Sequence, residues 1–209
     1  MKNISLLLVL GFAFSLCNLT SKLKEAGKGD PTKSAPAAKV NSAAAERPEP
    51  TAAQIAALSG GQNVSWDKQG ISWTVPAKWV QASDEEKMFV WRSPGSWDAA
   101  SLIVNISTMD ESFPTDISLN AFHEQARTRS KNGEVDELRW LEIDGLKGVQ
   151  FRESNPAQAD DTRRLQWLAY RKYAGQVQMV NLMLAARGKD FSRHEDAMYG
   201  ILYSTKIVH

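Results

Sequence analysis

Residues 163–185, RRLQWLAYRKYAGQVQMVNLMLA, decide the fold because they contain two long strand-like runs joined by a turn. The first run alternates with the period of two that is typical of a strand, and places on one face Leu165, Trp167 and Ala169. Ala174-Gly175 then favours a turn. The second run, residues 176–185, is the most strongly apolar strand segment, and we expect it to lie at the centre of a sheet.

Further strands are predicted on the N-terminal side of this pair. Residues 135–143 and 146–153 flank Asp144-Gly145, a dipeptide that favours a two-residue hairpin turn. Shorter runs, two of which alternate around a turn, predict the remaining strands over residues 63–66, 71–75, 88–92 and 101–108.

Two helices are predicted between and after these strands. The first follows Ser118, whose hydroxyl can cap a helix N-terminus, and stops at Gly133. The second covers residues 190–202, where apolar residues recur at helical spacing. Mostly antiparallel strands with helices inserted late predict the α+β class, in which an antiparallel sheet is flanked by helices.

The first 17 residues predict a signal peptide. Lys2 gives a positive start, and residues 4–16 are almost wholly apolar. This run is too short for a membrane span, which needs about 20 residues. A positive start followed by a short apolar run is typical of a secretory signal. We therefore expect export, with residues 1–17 as the signal.

Two processing sites fit this signal. Phe14-Ser15-Leu16-Cys17 resembles a bacterial lipobox, although Leu16 stands where a smaller residue is usual and Phe14 where Leu is commonest. Cys17, the sole cysteine, would then carry acyl chains such as palmitate and anchor the protein to a membrane. Alternatively, Ala13-Phe14-Ser15 is an ordinary cleavage site, and the released protein is soluble. The place of Cys17, directly before a polar tether, favours the lipoprotein.

Residues 18–61 are predicted to be a disordered linker. They include no aromatic residue and are rich in Ala, Ser, Lys, Gly and Pro, so they bury too little apolar surface to offset the entropy of ordering. Residues 51–59 could instead form one or two helical turns, with Ile55 and Leu58 on one side. All seven tryptophans lie in residues 62–209, which we predict to be a single domain.

Four stretches follow one another in a recognisable order: ISWTVPAKWV (71–80), SLIVNIS (101–107), LEIDGLKGVQF (141–151) and DFSRHEDAMYGILYSTKI (190–207). This order resembles the PsbP-like superfamily, which includes an extrinsic photosystem II subunit, bacterial DcrB-like lipoproteins and a Ran-binding nuclear-import protein. The matched marks are Val75-Pro76 followed by Trp79, Ile143-Asp144-Gly145 with Gly148, and Ile201-Leu202 followed by Ser204. The resemblance implies an α-β-α sandwich and binding or scaffolding rather than catalysis, and it transfers no specific partner.

Few residues suit catalysis or metal binding. The histidines are scattered at His123, His194 and His209, and His123-Glu124 lacks the second histidine of the zinc-protease motif. The acidic groups lack the alternating spacing of a calcium loop. No nucleophile elbow, P-loop or dinucleotide motif is present. We therefore predict no enzyme activity, no catalytic residue, no metal site and no cofactor.

Charge and aromatic residues bear on possible partners. Lysine and arginine total 25 against 24 aspartates and glutamates, a balance that argues against a nucleic-acid partner. Arg163-Arg164 and Arg171-Lys172 are interpreted as surface charge. Most tryptophans lie on predicted strands and are assigned to the core, whereas Trp79 and Trp97 lie near predicted loops and are the candidate interface residues.

These observations give two main hypotheses. The first is a non-catalytic binding or scaffold module of the cell envelope, held by an N-terminal lipid on the periplasmic or outer face of a membrane, with an envelope protein as partner. The alternative is a secreted soluble module that binds a ligand or an ion. A third, weaker hypothesis is an enzyme that uses an acidic or histidine site.

Overall fold

The computed structural model describes residues 44–95 and 99–208, which form two antiparallel sheets and three α-helices. In chain order the elements are α1 (Ala52–Ala57), β1 (Gln62–Trp66), β2 (Ile71–Val75), β3 (Val80–Asp84), β4 (Met88–Arg92), β5 (Ser101–Met109), α2 (Thr115–Lys131), β6 (Val135–Ile143), β7 (Leu146–Glu153), β8 (Thr162–Tyr173), β9 (Gln176–Arg187), α3 (Gly188–Tyr203) and β10 (Lys206–Ile207). The predicted α+β class is confirmed.

The large sheet has the strand order β3-β4-β5-β9-β8-β7-β6. Its middle strand is β9, which is the position predicted from the apolar run. β8 and β9 pair along their whole length, from Thr162 opposite Arg187 to Tyr173 opposite Gln176. The connecting residues have positive φ angles, 50° at Ala174 and 77° at Gly175, as a tight hairpin turn requires.

One hydrophobic core lies between the large sheet and a layer made of α3 and the small sheet, whose strand order is β1-β2-β10. Its largest fully buried side chains include Trp66, Trp73, Phe89 and Trp167. The Phe89 ring lies 5.5 Å from the Trp66 ring and 5.3 Å from the Trp73 ring, measured between centroids. This packing ties the small sheet to strand β4 of the large one.

A second core lies on the opposite face of the large sheet, under α2. Leu119 and Ala126 of α2 pack there with Phe151, Leu168 and other side chains of β6 to β9. Because successive strand residues point to opposite faces, Trp167 and Leu168 belong to different cores. The large sheet is therefore covered on both faces, as an α-β-α sandwich.

The structure differs from the prediction at the start of α2 and at strand β3. Helix α2 begins at Thr115, three residues before Ser118, and the hydroxyl of Ser118 pairs with that of Tyr170 at 2.8 Å instead of capping the helix. Strand β3 was not predicted. β3 is an edge strand with a bulge, and its residues are mostly polar and exposed. It therefore lacks the alternating apolar pattern from which a strand is predicted.

The predicted linker also needs correction in the part that the structure describes. Residues 44–61 pack on the domain rather than forming a disordered segment. Thr51 and Gln54 form a reciprocal capping box that starts α1, and α1 packs on α3. The packing of α1 against α3 stabilises an ordered structure in this segment, which its composition alone would not do. The rest of the predicted linker and the signal lie outside the described residues.

The assignment of both basic pairs to the surface is wrong for Arg163 and Arg171. They are 7% and 4% exposed and share the inward face of β8 with Trp167. Arg163 donates to the carbonyl of Glu153 at 2.7 Å and stacks over Phe191. Their neighbours in sequence, Arg164 and Lys172, point to the other face.

Arg171 joins the large sheet to two segments of the small-sheet layer. Its guanidinium donates to the carbonyl oxygens of Gln69 at 2.7 Å and Val208 at 3.3 Å, and to Oε1 of Gln178. Burial lowers the pKa of Arg171, because these acceptors are neutral and do not offset the loss of hydration.

We expect Arg171→Met to lower the free energy of unfolding by about 2 kcal/mol, since buried acceptors lose their donor. Urea unfolding followed by tryptophan fluorescence measures this. Lys172→Met, at the exposed neighbouring position, is the control and should change stability little. If the two variants were equally stable, Arg171 would not stabilise the contact between the large sheet and the small-sheet layer.

Candidate functional site

Residues 46–58, which we call the strap, cross the outer edge of β6, the last strand of the large sheet. The amide of Glu46 donates to the carbonyl of Trp140 at 2.9 Å, and the carbonyl of Glu46 accepts from the amide of Glu142 at 2.8 Å. These two bonds form one parallel bridge, between Glu46 and Leu141. The strap therefore adds a single residue to the sheet.

Side chains reinforce this bridge on both faces of the sheet. Glu46 forms an ion pair with Arg139 at 3.2 Å, and Arg47 forms one with Glu142 at 2.9 Å. Consecutive residues of an extended segment point to opposite faces, so each strap residue meets its own partner. Pro48 follows and has no amide hydrogen, so it cannot continue the ladder.

The rest of the strap is held by close packing of α1 on α3. A Cβ atom at Gly200 would lie 3.0 Å from the carbonyl oxygen of Gln54 and 3.0 Å from Cδ1 of Leu58. A larger residue at this position would therefore require α1 to move away from α3 by a few tenths of an ångström. Helix α1 nevertheless buries none of its residues, and Ile55 is 61% exposed, so the strap is loosely attached.

A network of polar side chains lies beside the strap. Arg139 of β6 donates to the hydroxyl of Tyr203. Tyr199, one turn earlier on α3, donates to Glu137, and Arg152 of β7 pairs with Glu137 at 3.5 Å. Through these contacts the network joins α3 to the last two strands of the sheet.

Three surface hollows meet at Tyr203. The first, of about 370 Å³, is charged and is lined by Glu137, Arg139, Arg152 and both tyrosines. The second, of about 440 Å³, is lined by polar groups that include Glu142 and Lys206. The third, of about 360 Å³, is more apolar and lies between α1 and α3. Strap residues line all three, so the strap shapes the whole region.

The tyrosines of this site are held neutral. Burial, followed by the hydrogen bond to Glu137, raises the pKa of Tyr199. Burial also raises the pKa of Tyr203, although Arg139 opposes the change. Because both phenols stay protonated at neutral pH, they can hydrogen-bond a ligand or partner, and proton transfer from them is disfavoured.

The structure corrects one of the predicted interface residues. Trp79 is only 5% exposed and belongs to the first core. Its amide bonds to the carbonyl of Pro76, and its own carbonyl accepts from Gln62 at 2.8 Å, so the turn after β2 directs the ring inward. Trp97 and Cys17 lie outside the described residues.

The histidines do not converge on one site. His123 lies on α2, where its ring stacks on Trp140 with 4.8 Å between centroids. His194 lies on α3, on the other side of the large sheet, and His209 is outside the described residues. Within residues 44–95 and 99–208, no group of three or more His, Cys, Asp or Glu side chains could hold a metal ion.

None of the helices in the described part of the chain is both long enough and apolar enough to cross a membrane.

The sequence did not single out Arg139, Tyr199 or Tyr203. One signal was available, since Tyr199 and Tyr203 are four residues apart, a spacing that puts two residues on one face of a helix, and the predicted helix 190–202 ends one residue before Tyr203. The contact of that face with β6 depends on how the helix packs against the sheet, and this packing cannot be predicted from the sequence pattern.

No protein-family model matches the sequence, and no curated protein matches it. Solved structures do match. LpqN of Mycobacterium tuberculosis, involved in cell envelope biogenesis, aligns at 16% identity over 71% of this chain and 86% of its own, with a TM-score of 0.50. The domain therefore shares the fold of LpqN. At this identity the likeness shows the fold alone, and the α-β-α sandwich that the resemblance implied is the architecture of the described residues.

Two further structures are similar to a lower degree. Cyanobacterial PsbP (CyanoP) from Synechocystis sp. PCC 6803 has 15% identity over 70% of this chain and 92% of its own, with a TM-score of 0.46. The Ran-binding protein Mog1p of Saccharomyces cerevisiae has 13% identity over 71% of this chain and 95% of its own, with a TM-score of 0.42.

We expect Gly200→Ala to loosen the strap. The added methyl group meets Gln54 and Leu58 at 3.0 Å, and overpacking of this kind costs about 1 kcal/mol or more. Hydrogen exchange of the Ile55 and Leu58 amides should speed up. The control amides in β9 should keep wild-type exchange rates, and unchanged exchange in α1 would show that Gly200 does not control the strap.

Ultraviolet titration of the phenols tests the burial of the tyrosines. Burial raises the pKa of Tyr170, Tyr199 and Tyr203. We therefore expect three of the four tyrosines to stay protonated as the pH passes about 10, the usual tyrosine pKa. A raised folded-state pKa gives stability that is fully present below pH ~10 and is lost as the pH rises above it. In denaturant all four phenols should titrate at pH ~10. If all four also titrated at pH ~10 in the folded protein, the tyrosines would not be buried as described.

Proposed function

We propose that the protein is an exported, lipid-anchored binding module of the cell envelope, without catalytic activity of its own. The observation that carries this proposal is the N-terminal apolar run that ends at the sole cysteine, Cys17, and continues into a polar segment. Its fold likeness to LpqN, a protein involved in cell envelope biogenesis, is compatible with an envelope role.

The strap and the three hollows around Tyr203 are the binding site in this proposal. The region combines aromatic rings, arginines and carboxylates at the surface, a composition that suits recognition of a protein segment. Its ionisable groups also pair with one another, as in Arg139 with Glu46 and Glu137. Such pairing favours a binding surface over a catalytic one, where a group must exchange protons with a substrate.

The second candidate is a secreted soluble module that binds a ligand or an ion. It is favoured by Ala13-Phe14-Ser15, which has small residues at the two positions that signal peptidase reads. The two candidates share the same domain and differ in the N-terminus of the mature protein.

We expect Cys17→Ser to move the protein from the membrane fraction to the soluble fraction. The variant lacks the thiol that would carry the lipid, and a protein without acyl chains loses its anchor. Detergent phase partitioning of cells fed a clickable palmitate analogue measures both lipid labelling and location. Asn18→Ser, at the next position, is the matched control and should keep the label and the membrane location.

Membrane partitioning that persists in Cys17→Ser would overturn the lipid anchor. A wild-type mature protein whose intact mass begins at Leu16, without acyl chains, would identify the soluble module instead. In-cell crosslinking of the membrane-bound protein then tests for an envelope partner.

A further inference from the structure

The outer edge of β6 is mostly open. β6 spans nine residues and pairs on its inner side with β7. On its outer side, Glu46 forms the one isolated bridge found among residues 44–95 and 99–208. A strand edge with unpaired backbone groups is a ready template for another extended segment.

The bridge at Glu46 fixes the register that a longer segment would follow. It is parallel and sets Glu46 opposite Leu141. A segment in the same register would place the residues two and four positions earlier opposite Arg139 and Glu137. Each further bridge would add about two backbone hydrogen bonds, whereas the strap makes one bridge and is then interrupted by Pro48.

Charge makes this edge selective. Arg139 is held by Gln150 and Tyr203, and Glu142 lies on the opposite face of the same strand. Their side chains are each 22% exposed, against 60% for Glu46 and 79% for Arg47. The domain thus presents a cation and an anion on opposite faces of β6, both less exposed than the strap residues that pair with them, and Arg139 also pairs with Glu137 at 3.1 Å. This arrangement suits an acidic residue followed directly by a basic residue.

We propose that the outer edge of β6 is a strand-addition site for an extended segment of a partner protein that carries an acidic residue followed by a basic one. The strap, with Glu46-Arg47, occupies part of this site in cis and competes with the partner. This inference rests on the proposed function as a binding module and names its docking surface. A partner segment that pairs along more of β6 would displace the loosely attached strap by forming more backbone bonds.

The test uses ¹⁵N-labelled protein and a synthetic peptide, acetyl-Thr-Val-Thr-Val-Thr-Glu-Arg-amide, titrated to millimolar concentration. A peptide with the last two residues exchanged has the same composition and is the control ligand. Glu46→Lys turns the strap's attraction to Arg139 into repulsion. Glu86→Lys, an equal charge change at an exposed position between β3 and β4, at the opposite edge of the large sheet, is the control protein.

We expect the Glu-Arg peptide to shift the backbone amides of Trp140 and Glu142 and to bind Glu46→Lys at least ten-fold more tightly than Glu86→Lys. The exchanged peptide should bind Glu46→Lys at least ten-fold more weakly than the Glu-Arg peptide binds the same variant. If Glu46→Lys fails to give a folded spectrum, Arg47→Glu, which repels Glu142, replaces it in the same comparison.

Three results would overturn the inference: equal affinity of the two proteins, equal affinity of the two peptides, or shifts confined to residues away from β6. Concentration-dependent shifts of the same amides without peptide would identify a second copy of this chain as the occupant, and the partner-protein proposal would be wrong. If the peptide does not bind while the Cys17→Ser test still supports the lipid anchor, the proposed docking surface is wrong and the proposal of a tethered module is unaffected.

Discussion

The pairing of β8 with β9 is the interaction on which the rest of the structure depends. Twelve residue pairs run from Thr162 and Arg187 to the turn at Ala174-Gly175. The two strands hold the middle of the large sheet, so their side chains form the floor of both hydrophobic cores. Every covering layer packs against a sheet that this hairpin holds together. The apolar side chains of segment 176–185 favour the central position of β9, because a central strand is covered on both faces.

The ends of β8 show how such a sheet joins its surroundings. Trp167 lies at the middle of the inward face, and Arg163 and Arg171 lie on the same face toward the two ends. Long arginine stems cover apolar surface while their guanidinium groups reach polar atoms at the edge of the core. Arg163 reaches Asp136 and Phe191, and Arg171 reaches the segments around Gln69 and Val208. The strand therefore combines a hydrophobic centre with polar attachments at each end.

The sequence predicted the elements whose pattern is local. The hairpin at Asp144-Gly145 and the central strand follow from turn chemistry and alternation. It did not predict β3, which is a mostly polar edge strand without an alternating apolar pattern. It also did not predict the burial of Trp79 or Arg171, or the packing of residues 44–61, because these depend on contacts between segments distant in sequence. The strap illustrates the reason. Its composition is that of a linker, and its position is set by one backbone bridge, two ion pairs and a close approach to Gly200. The candidate site around Tyr203 was missed for the same reason.

The strap's place in the chain connects the proposed docking surface to the proposed anchor. It lies in the C-terminal part of the segment predicted to be a linker, residues 18–61, so the segment that competes for β6 is also the segment through which a tether would hold the domain. A partner that displaced residues 46–58 from β6 and α3 would free 13 residues, which can extend by at most about 45 Å. Binding at β6 would therefore lengthen the reach of the domain from its membrane. Conversely, a tether drawn tight would pull first on the single bridge at Glu46, because among the described residues, which begin at 44, this bridge holds the first backbone hydrogen bonds to the sheet.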